Sequence, residues 1–212
     1  MSSQVDIIGR QSSHYTRMTR IVAEELGLEY RLQPIFDLMS DDPETYAGNP
    51  ALKLPVLKLD GQAIYGSVNI CRALAQTAPG RLQINWPWDA ETPLLMNAHE
   101  TLAHAMAMAM EVEVVVHERV EKRLPDTASR KRRQSLINSL SWLDTHLNDI
   151  LRQLPPRDLS LFETGLYCLL THLPFRNPMD LPPMPNLAAF ERDFGSRASA
   201  QATPYRFDKP PE

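Results

Sequence analysis

Two short stretches of this chain combine residue types that could hold a small polar ligand. In Lys53-Leu54-Pro55, a proline stands at the mouth of an apolar run, which makes its peptide bond a candidate for the cis form. A cis bond there would turn the N–H and C=O of Leu54 outward, free for a ligand. In Gly66-Ser67, the serine stands at the start of a predicted helix, where its hydroxyl can cap the helix and where anions bind favourably.

A third stretch, the polar loop of residues 10–15, carries hydroxyl groups at the entry to another predicted helix. Ser12, Ser13 and Tyr15 supply them, and either serine could serve as the N-cap of a helix expected over residues 16–26. The loop contains no cysteine, so chemistry that depends on a thiol of the protein, as in thioredoxins, is not expected here.

The elements that would position these three stretches form a predicted β-α-β-α-β-β-α unit over residues 1–80. Its strands are expected at residues 5–9, 29–35, 56–59 and 63–65, and its helices at 16–26, after Asp42, and at 68–78. Asp60-Gly61 between the last two strands is a strong signal for a two-residue hairpin turn. The three stretches therefore belong to one small α/β domain.

The remainder of the chain is predicted to be helical. The sequence predicts a linker over residues 81–90 and an all-helical domain over residues 91–212. No strand is expected after Asp89. Helices are predicted over residues 94–124, 129–154, 161–173 and 187–194, with a capping box at Ser160 and Glu163 and an N-cap at Asn186. Tyr205 and Phe207 are expected to pack back onto the fold.

Composition excludes several classes of function. A hydrophobic content of 43% is ordinary for a soluble globular protein. The net charge of −4 does not favour binding to nucleic acid. The two cysteines, Cys71 and Cys168, are far apart, and His99 and His104 lack metal-ligand spacing, so neither a disulfide framework nor a metal site is expected. Without a signal peptide or a membrane span, the expected location is the cytoplasm.

Four segments, in their order and spacing, resemble the cytosolic glutathione S-transferases. They are residues 13–28; Asn49-Pro50 with residues 53–57; residues 60–67; and residues 185–190 followed by Arg197 and Thr203-Pro204. The resemblance covers nearly the whole chain. It implies a thioredoxin-like N-terminal domain followed by an all-helical C-terminal domain, in a protein that is usually a homodimer.

The resemblance also implies a reaction, in which glutathione is a co-substrate and no cofactor is bound. Conjugation requires the glutathione thiol as a thiolate, and a free thiol has a pKa of ~8.5, so a nearby hydroxyl donor or helix N-terminus raises the reactive fraction. Ser13 aligns with the serine that donates to the sulfur in related classes. Two alternatives remain open: Ser13 only caps the helix, or Ser12 or Tyr15 serves instead.

The remaining glutathione contacts implied by the resemblance lie in the other two stretches. Leu54, before Pro55, would lend its main-chain N–H and C=O to the cysteinyl part. Lys53 could meet a carboxylate of the tripeptide, or its side chain could simply be solvated. Ser67 would bind the γ-glutamyl carboxylate. The family usually has an acidic residue or glutamine where this chain has Gly66, so one side-chain contact to that group is missing.

A small hydrophobic electrophile would be the second substrate, against the long helix that carries His104 and Met108. Core packing or a dimer seam is the other reading of these positions. The function favoured by the sequence is conjugation of glutathione to such electrophiles. The alternatives are glutathione-dependent reduction of peroxides or disulfides, and a non-catalytic, partner-binding protein, which the absence of a side chain at Gly66 would suit.

Overall fold

The computed structural model describes residues 4–120, 127–176 and 180–209, and its main chain divides into two compact units. The N-terminal unit comprises Met1–Leu82 together with Ser196–Glu212, and the helical unit comprises Gln83–Gly195. We call residues 196–209 the C-terminal tail. The domain limits of 1–80, 81–90 and 91–212 remain predictions, and the tail groups with the N-terminal unit by its contacts.

The N-terminal unit contains the predicted elements in the predicted order. They are β1 (Val5–Ile8), α1 (His14–Glu25), β2 (Arg31–Gln33), a 3₁₀ helix (Pro43–Tyr46), β3 (Val56–Leu59), β4 (Gln62–Tyr65) and α2 (Ser67–Thr77). The strand predicted over residues 29–35 is shorter than expected, and α1 begins two residues earlier. A positive φ at both Asp60 (48°) and Gly61 (81°) forms the tight turn between β3 and β4, which confirms the hairpin.

The sheet has the strand order β2-β1-β3-β4, and its register fixes which loops are neighbours. β1 runs parallel to β2 and antiparallel to β3, and β3 runs antiparallel to β4. Ile8 pairs with Val56, and Val56 pairs with Tyr65. The end of β1, the start of β3 and the end of β4 therefore lie together at one end of the sheet.

The core of the N-terminal unit forms where α1 and α2 cover the central strands. Ile7 and Leu57 of the sheet, Ile21 of α1 and Leu74 of α2 are fully buried. Gly9, directly after β1, allows α1 to approach closely, because a Cβ at this position would lie 2.5 Å from Thr16 Oγ1. The start of α1 is thereby pressed against the end of β1, where the polar loop begins.

The helical unit contains α3 (Pro93–Val120), α4 (Thr127–Gln153), α5 (Leu161–Arg176) and α6 (Pro185–Gly195). The predicted end of α3 at residues 121–126 lies outside the described residues. The apolar face predicted for α4 is buried at Leu136, Leu140, Leu143, Leu147 and Ile150. None of the described helices is both long and apolar enough to cross a membrane.

The prediction that no strand follows Asp89 was wrong. β5 (Ile84–Asn85) lies before that point and pairs in parallel with β6 (Leu159–Ser160). The Asp158 carboxylate also accepts a hydrogen bond from the main-chain N–H of Gln83 at 2.7 Å. Each strand has only two residues, which is too few to show an alternation of polar and apolar side chains. The pairing also joins distant parts of the chain, so it could not be predicted from local sequence patterns.

Two predicted helix starts in this unit need correction. Asn186 does not cap α6, which begins at Pro185; the Asp144 carboxylate accepts the N–H of Leu187 at 2.9 Å instead. At the predicted capping box, Ser160 Oγ accepts the N–H of Glu163 at 3.4 Å, but the Glu163 carboxylate binds Arg157 at 2.6 Å. In the first case the partner lies 43 residues away along the sequence, and in the second a neighbouring arginine six residues away takes the carboxylate.

The C-terminal tail also departs from expectation. It contains a short helix, α7 (Ala198–Ala202), which was not predicted. Tyr205 packs against α1 as expected, with its ring beneath the Arg17 guanidinium at 4.4 Å. Phe207 is more exposed than expected, with 59% of the residue accessible to solvent, and its packing stays a prediction.

Candidate functional site

All three candidate stretches meet at the end of the sheet defined by the pairing of Ile8, Val56 and Tyr65. The polar loop with Ser12 and Ser13 leaves the end of β1. Lys53-Leu54-Pro55 enters the start of β3, and Gly66-Ser67 leaves the end of β4. Since β1 and β4 flank β3, the cis-proline segment lies between the other two.

Ser13 is the N-cap of α1. Its main chain is extended, with φ −92° and ψ 129°, and its Oγ accepts a hydrogen bond from the N–H of Thr16 at 3.3 Å. This bond uses a lone pair of the hydroxyl oxygen and leaves its hydrogen available to a second acceptor. Ser13 is also partly exposed. Capping the helix and donating to an external anion are therefore compatible roles.

The alternative hydroxyls differ from Ser13 in their exposure. Ser12 is buried, with 8% of the residue exposed, whereas Tyr15 is half-buried in the first turn of α1. Burial raises the pKa of the Tyr15 phenol above its usual value, so the phenol keeps its proton at neutral pH and remains a donor. Of the two serines, Ser13 is the more accessible.

The Leu54–Pro55 peptide bond is cis, which confirms that prediction. Pro55 is buried, Leu54 is half-buried and Lys53 is exposed. Within residues 4–120, 127–176 and 180–209, neither the N–H nor the C=O of Leu54 has a hydrogen-bond partner. Both groups can therefore bind an extended peptide-like ligand as a neighbouring strand would.

Two residues that sequence reasoning missed hold the loop before β3 in place. Asn49, with 4% of the residue exposed, donates from Nδ2 to the carbonyl of Lys53 at 2.7 Å and accepts the N–H of Ala51 at 3.0 Å. The Tyr65 hydroxyl donates to the carbonyl of Gly48 at 3.0 Å. Asn49 before Pro50 was recognisable as a turn residue, but its contact with Lys53 was not.

Gly66, not Ser67, occupies the N-cap of α2, which corrects the predicted cap. Gly66 has φ 84° and ψ 128°, a region that favours glycine, and it makes no side-chain cap bond. Ser67 is the first helical residue, so the main-chain N–H groups of the first turn face outward without intrahelical partners. A Cβ at Gly66 would meet only Asn69 Nδ2, at 3.7 Å, so there is room for a side chain.

The residues predicted to meet the electrophile lie on α3 in the helical unit. His104 is exposed, and its Nε2 lies 2.6 Å from Ser135 Oγ of α4; Met108, one turn later, is half-buried. Their contact with a substrate stays a prediction. Within the described residues, no three His, Cys, Asp or Glu side chains are grouped to hold a metal ion.

The comparisons with known proteins identify the fold in which these segments lie. Residues 12–77 match the family model of the glutathione S-transferase N-terminal domain. The structure of a glutathione S-transferase from Methylobacterium radiotolerans superposes with a TM-score of 0.75 over 99% of each chain, at 22% identity. The chain has the glutathione S-transferase fold. The predicted resemblance to that family and the predicted fold class are both confirmed.

Other structures with the glutathione S-transferase fold are similarly close. One from Methylobacillus flagellatus, with glutathione bound, has a TM-score of 0.73 and 24% identity over 95% of this chain and 99% of its own. One from Pseudomonas fluorescens, with S-(propanoic acid)-glutathione bound, has a TM-score of 0.72 and 23% identity over 94% and 98%. A comparison with curated protein sequences gives no match.

The matched N-terminal domain contains the residues predicted to bind glutathione, and also the predicted catalytic residue Ser13 with its alternatives Ser12 and Tyr15. These residues are Ser12, Ser13, Tyr15, Lys53, Leu54, Pro55, Gly66 and Ser67, all between residues 12 and 77. Within the glutathione S-transferase fold of this chain, they occupy three segments at one end of a single sheet.

Proposed function

We propose that this protein is a glutathione transferase that conjugates glutathione to small hydrophobic electrophiles. The observation that supports it best is the sheet register that brings Ser13, Leu54 and Ser67 to one end of the sheet. These three offer a hydroxyl donor, a pair of main-chain groups and a helix N-terminus, which suit a thiol, a peptide and a carboxylate, respectively. Glutathione, the co-substrate, contains all three groups.

In this proposal Ser13 stabilises the thiolate. Its Oγ caps α1 through a lone pair and donates its hydrogen to the glutathione sulfur. The N-terminus of α1 adds a favourable field for negative charge at the same place. Both effects lower the pKa of the bound thiol, so more of it is ionised at neutral pH.

The other two segments hold the tripeptide. The free N–H and C=O of Leu54, beside Pro55, pair with the cysteinyl main chain, and exposed Lys53 reaches a terminal carboxylate. The first-turn N–H groups of α2, together with the Ser67 hydroxyl, bind the γ-glutamyl carboxylate, for which Gly66 offers no side chain. His104 and Met108 are proposed contacts for the electrophile, and the protein is expected to form homodimers.

A calorimetric titration with glutathione tests this proposal. Binding should be followed by turnover with a model aryl halide, and Ser13→Ala should lower that turnover while leaving glutathione affinity nearly unchanged. Ser12→Ala and Tyr15→Phe serve as matched controls, because each removes one of the alternative hydroxyls. A loss of turnover in either control, with Ser13→Ala unaffected, would reassign the donor; no heat at millimolar glutathione would reject the proposal.

A second candidate, a non-catalytic protein that binds a partner, is favoured by one observation, the absence of a side chain at Gly66. A missing charged hydrogen bond costs roughly 1.5–3 kcal/mol, or about tenfold to a hundredfold in affinity. Failure to bind glutathione would support this candidate. Binding without conjugation, but with turnover of a peroxide, would instead support a glutathione-dependent reductase.

A further inference from the structure

The C-terminal tail runs back along α1 within the N-terminal unit. Near the end of α1, the Glu25 carboxylate accepts hydrogen bonds from Arg197 Nε at 2.8 Å and Ser199 Oγ at 2.6 Å. Nearer its start, Arg17 donates to a main-chain carbonyl of α7 at 3.1 Å, and its guanidinium covers the ring of Tyr205 at 4.4 Å. The tail is thus fastened at two places before it reaches the polar loop.

Beyond these fastenings, Asp208 binds Gln11 in the polar loop with both carboxylate oxygens. Oδ2 accepts the main-chain N–H of Gln11 at 2.9 Å, and Oδ1 accepts its side-chain Nε2–H at 3.0 Å. The Arg10 guanidinium lies 3.9 Å from Oδ2. The Asp208 side chain is only 3% exposed, so the two hydrogen bonds from Gln11 replace water as partners of its oxygens.

Gln11 occupies the turn that presents the candidate hydroxyls. The N–H of Ser13 donates to the carbonyl of Arg10 at 3.1 Å and closes this turn, in which Gln11 and Ser12 are the central residues. The N–H of Gln11 points away from the turn and is the group that Asp208 holds. Asp208 therefore fixes the main chain two residues before Ser13.

We propose that Asp208 is a positioning residue for the polar loop: by holding Gln11 it sets the orientation of Ser13 towards the glutathione sulfur. This inference rests on the proposed function of Ser13. The C-terminal tail then determines how well the loop is ordered for catalysis, and it does so through the main chain and side chain of Gln11.

The test compares three variants of the full-length protein. Asp208→Ala removes both acceptors and should lower kcat for conjugation about 10- to 100-fold, the usual effect of a misplaced catalytic group, with the KM for glutathione changed less than about threefold. Asp208→Asn keeps one acceptor oxygen, and its kcat should fall between those of Asp208→Ala and the wild type. Lys209→Ala, at the exposed neighbouring position, is the matched control and should behave as the wild type.

Amide hydrogen exchange of the ligand-free protein reports on the loop independently of turnover. In Asp208→Ala, exchange at Ser12 and Ser13 should accelerate, while the middle of α1, around Ile21, should exchange as in the wild type. This pattern would show that the fold survives and that only the loop has loosened. Faster exchange throughout α1 would overturn the inference, since Asp208 would then stabilise the unit as a whole.

Two further outcomes separate this inference from the proposed function. If the wild type conjugates glutathione and Asp208→Ala has the same kcat and the same exchange at Ser13, the positioning role is rejected and the proposed function stands. If the wild type neither binds nor conjugates glutathione, the proposed function fails and the catalytic part of this inference fails with it. Exchange at Ser12 and Ser13 still decides whether Asp208 orders the loop.

Discussion

Ser13 Oγ lies 3.3 Å from the main-chain nitrogen of Thr16 and accepts its hydrogen bond. The same oxygen thus caps α1 and, in the proposed reaction, carries the hydrogen that stabilises the thiolate. Substitution of Ser13 by alanine would remove both roles at once, so a loss of activity alone would not identify the cause. A residue that caps well but cannot donate separates the two.

Aspartate is such a residue, because its carboxylate accepts the N–H of Thr16 but has no proton to donate at neutral pH. Ser13→Asp should therefore retain the stability that Ser13→Ala loses, about 1 kcal/mol. Its turnover should fall at least as far as that of Ser13→Ala, about 100-fold for a lost donor to a developing or bound anion. Chemical denaturation and steady-state kinetics measure the two effects; normal turnover in Ser13→Asp would contradict the donor role.

A side chain at position 66 should increase the affinity for glutathione and decrease the stability of the protein. Gly66→Gln restores a side chain where the family usually has one, and the space beside Asn69 allows it. Glutathione affinity should rise by about tenfold, the value of one good hydrogen bond to a charged group. The free energy of unfolding should fall by about 1 kcal/mol, because φ 84° strains any residue with a Cβ.

Gly61→Ala is the matched control for Gly66→Gln. Gly61 has a similar φ of 81°, and a Cβ there would meet nothing within 4 Å. Its substitution should cost a similar amount of stability without changing glutathione affinity. Tighter binding in Gly61→Ala, or none in Gly66→Gln, would show that affinity is not determined by the side chain at position 66.

The contact of Gly9 with Thr16 predicts a non-additive pair of substitutions. In Gly9→Ala the new methyl group would lie 2.5 Å from Thr16 Oγ1 and 2.9 Å from Thr16 Cγ2. This overpacking should cost about 1–3 kcal/mol of stability. Thr16→Ala removes both atoms, and the hydroxyl it deletes is buried without a hydrogen-bond partner among the described residues.

Adding Thr16→Ala to Gly9→Ala should therefore recover part of the lost stability. The double-mutant cycle, measured by urea denaturation, should give a favourable coupling of about 1 kcal/mol. Simple additivity would mean that the loss in Gly9→Ala arises elsewhere, for example from the main chain of residue 9 itself.

The anchor of the C-terminal tail at Glu25 should make stability depend on pH in the acid range. Burial raises the pKa of Glu25, but the hydrogen bonds from Arg197 and Ser199 outweigh it, so the pKa lies below its ordinary value of 4.5. A carboxyl with a lowered folded pKa stabilises the protein above pH 4.5 and loses this contribution as the pH falls through the folded value.

Glu25→Gln should consequently be less stable than the wild type at pH 7, with the difference narrowing at about pH 3. Urea denaturation at the two pH values measures this. Glu29→Gln, at an exposed position of the same unit, is the control and should follow the wild type at both. A difference that persists unchanged at low pH would assign the loss to packing instead of charge.

The parts of the fold that the sequence predicted are those with local signals. The order of the elements in residues 1–80 and the hairpin at Asp60-Gly61 each follow from a few adjacent residues, whereas the cis bond before Pro55 was only a candidate from its position and was supported by the family resemblance. The candidate hydroxyls, Leu54 and Ser67, were also found from local patterns, and the register of the sheet brings them together. Their chemical roles stay predictions.

What the sequence did not reveal depends on contacts between distant residues. The pairing of β5 with β6 and the return of the tail to α1 have no local pattern, and α7 is only five residues long. Asp208 and Gln11 are 197 positions apart, so their contact could not be inferred from spacing. The incorrect prediction of Ser67 as the N-cap of α2 has another cause. Gly66, with its positive φ, connects the end of β4 directly to the start of α2, so the helix begins one residue earlier than expected.

The N-terminal unit is built from two stretches of the chain that are far apart in sequence, and this affects how it can fold during synthesis. Chains are made from the N-terminus, and domains generally begin to fold as they emerge from the ribosome. Here the partners of Glu25, Arg17 and Gln11 are translated only after the whole helical unit. The nascent chain must therefore hold its first unit incomplete, with α1 uncovered along one side, until residues 197–208 arrive.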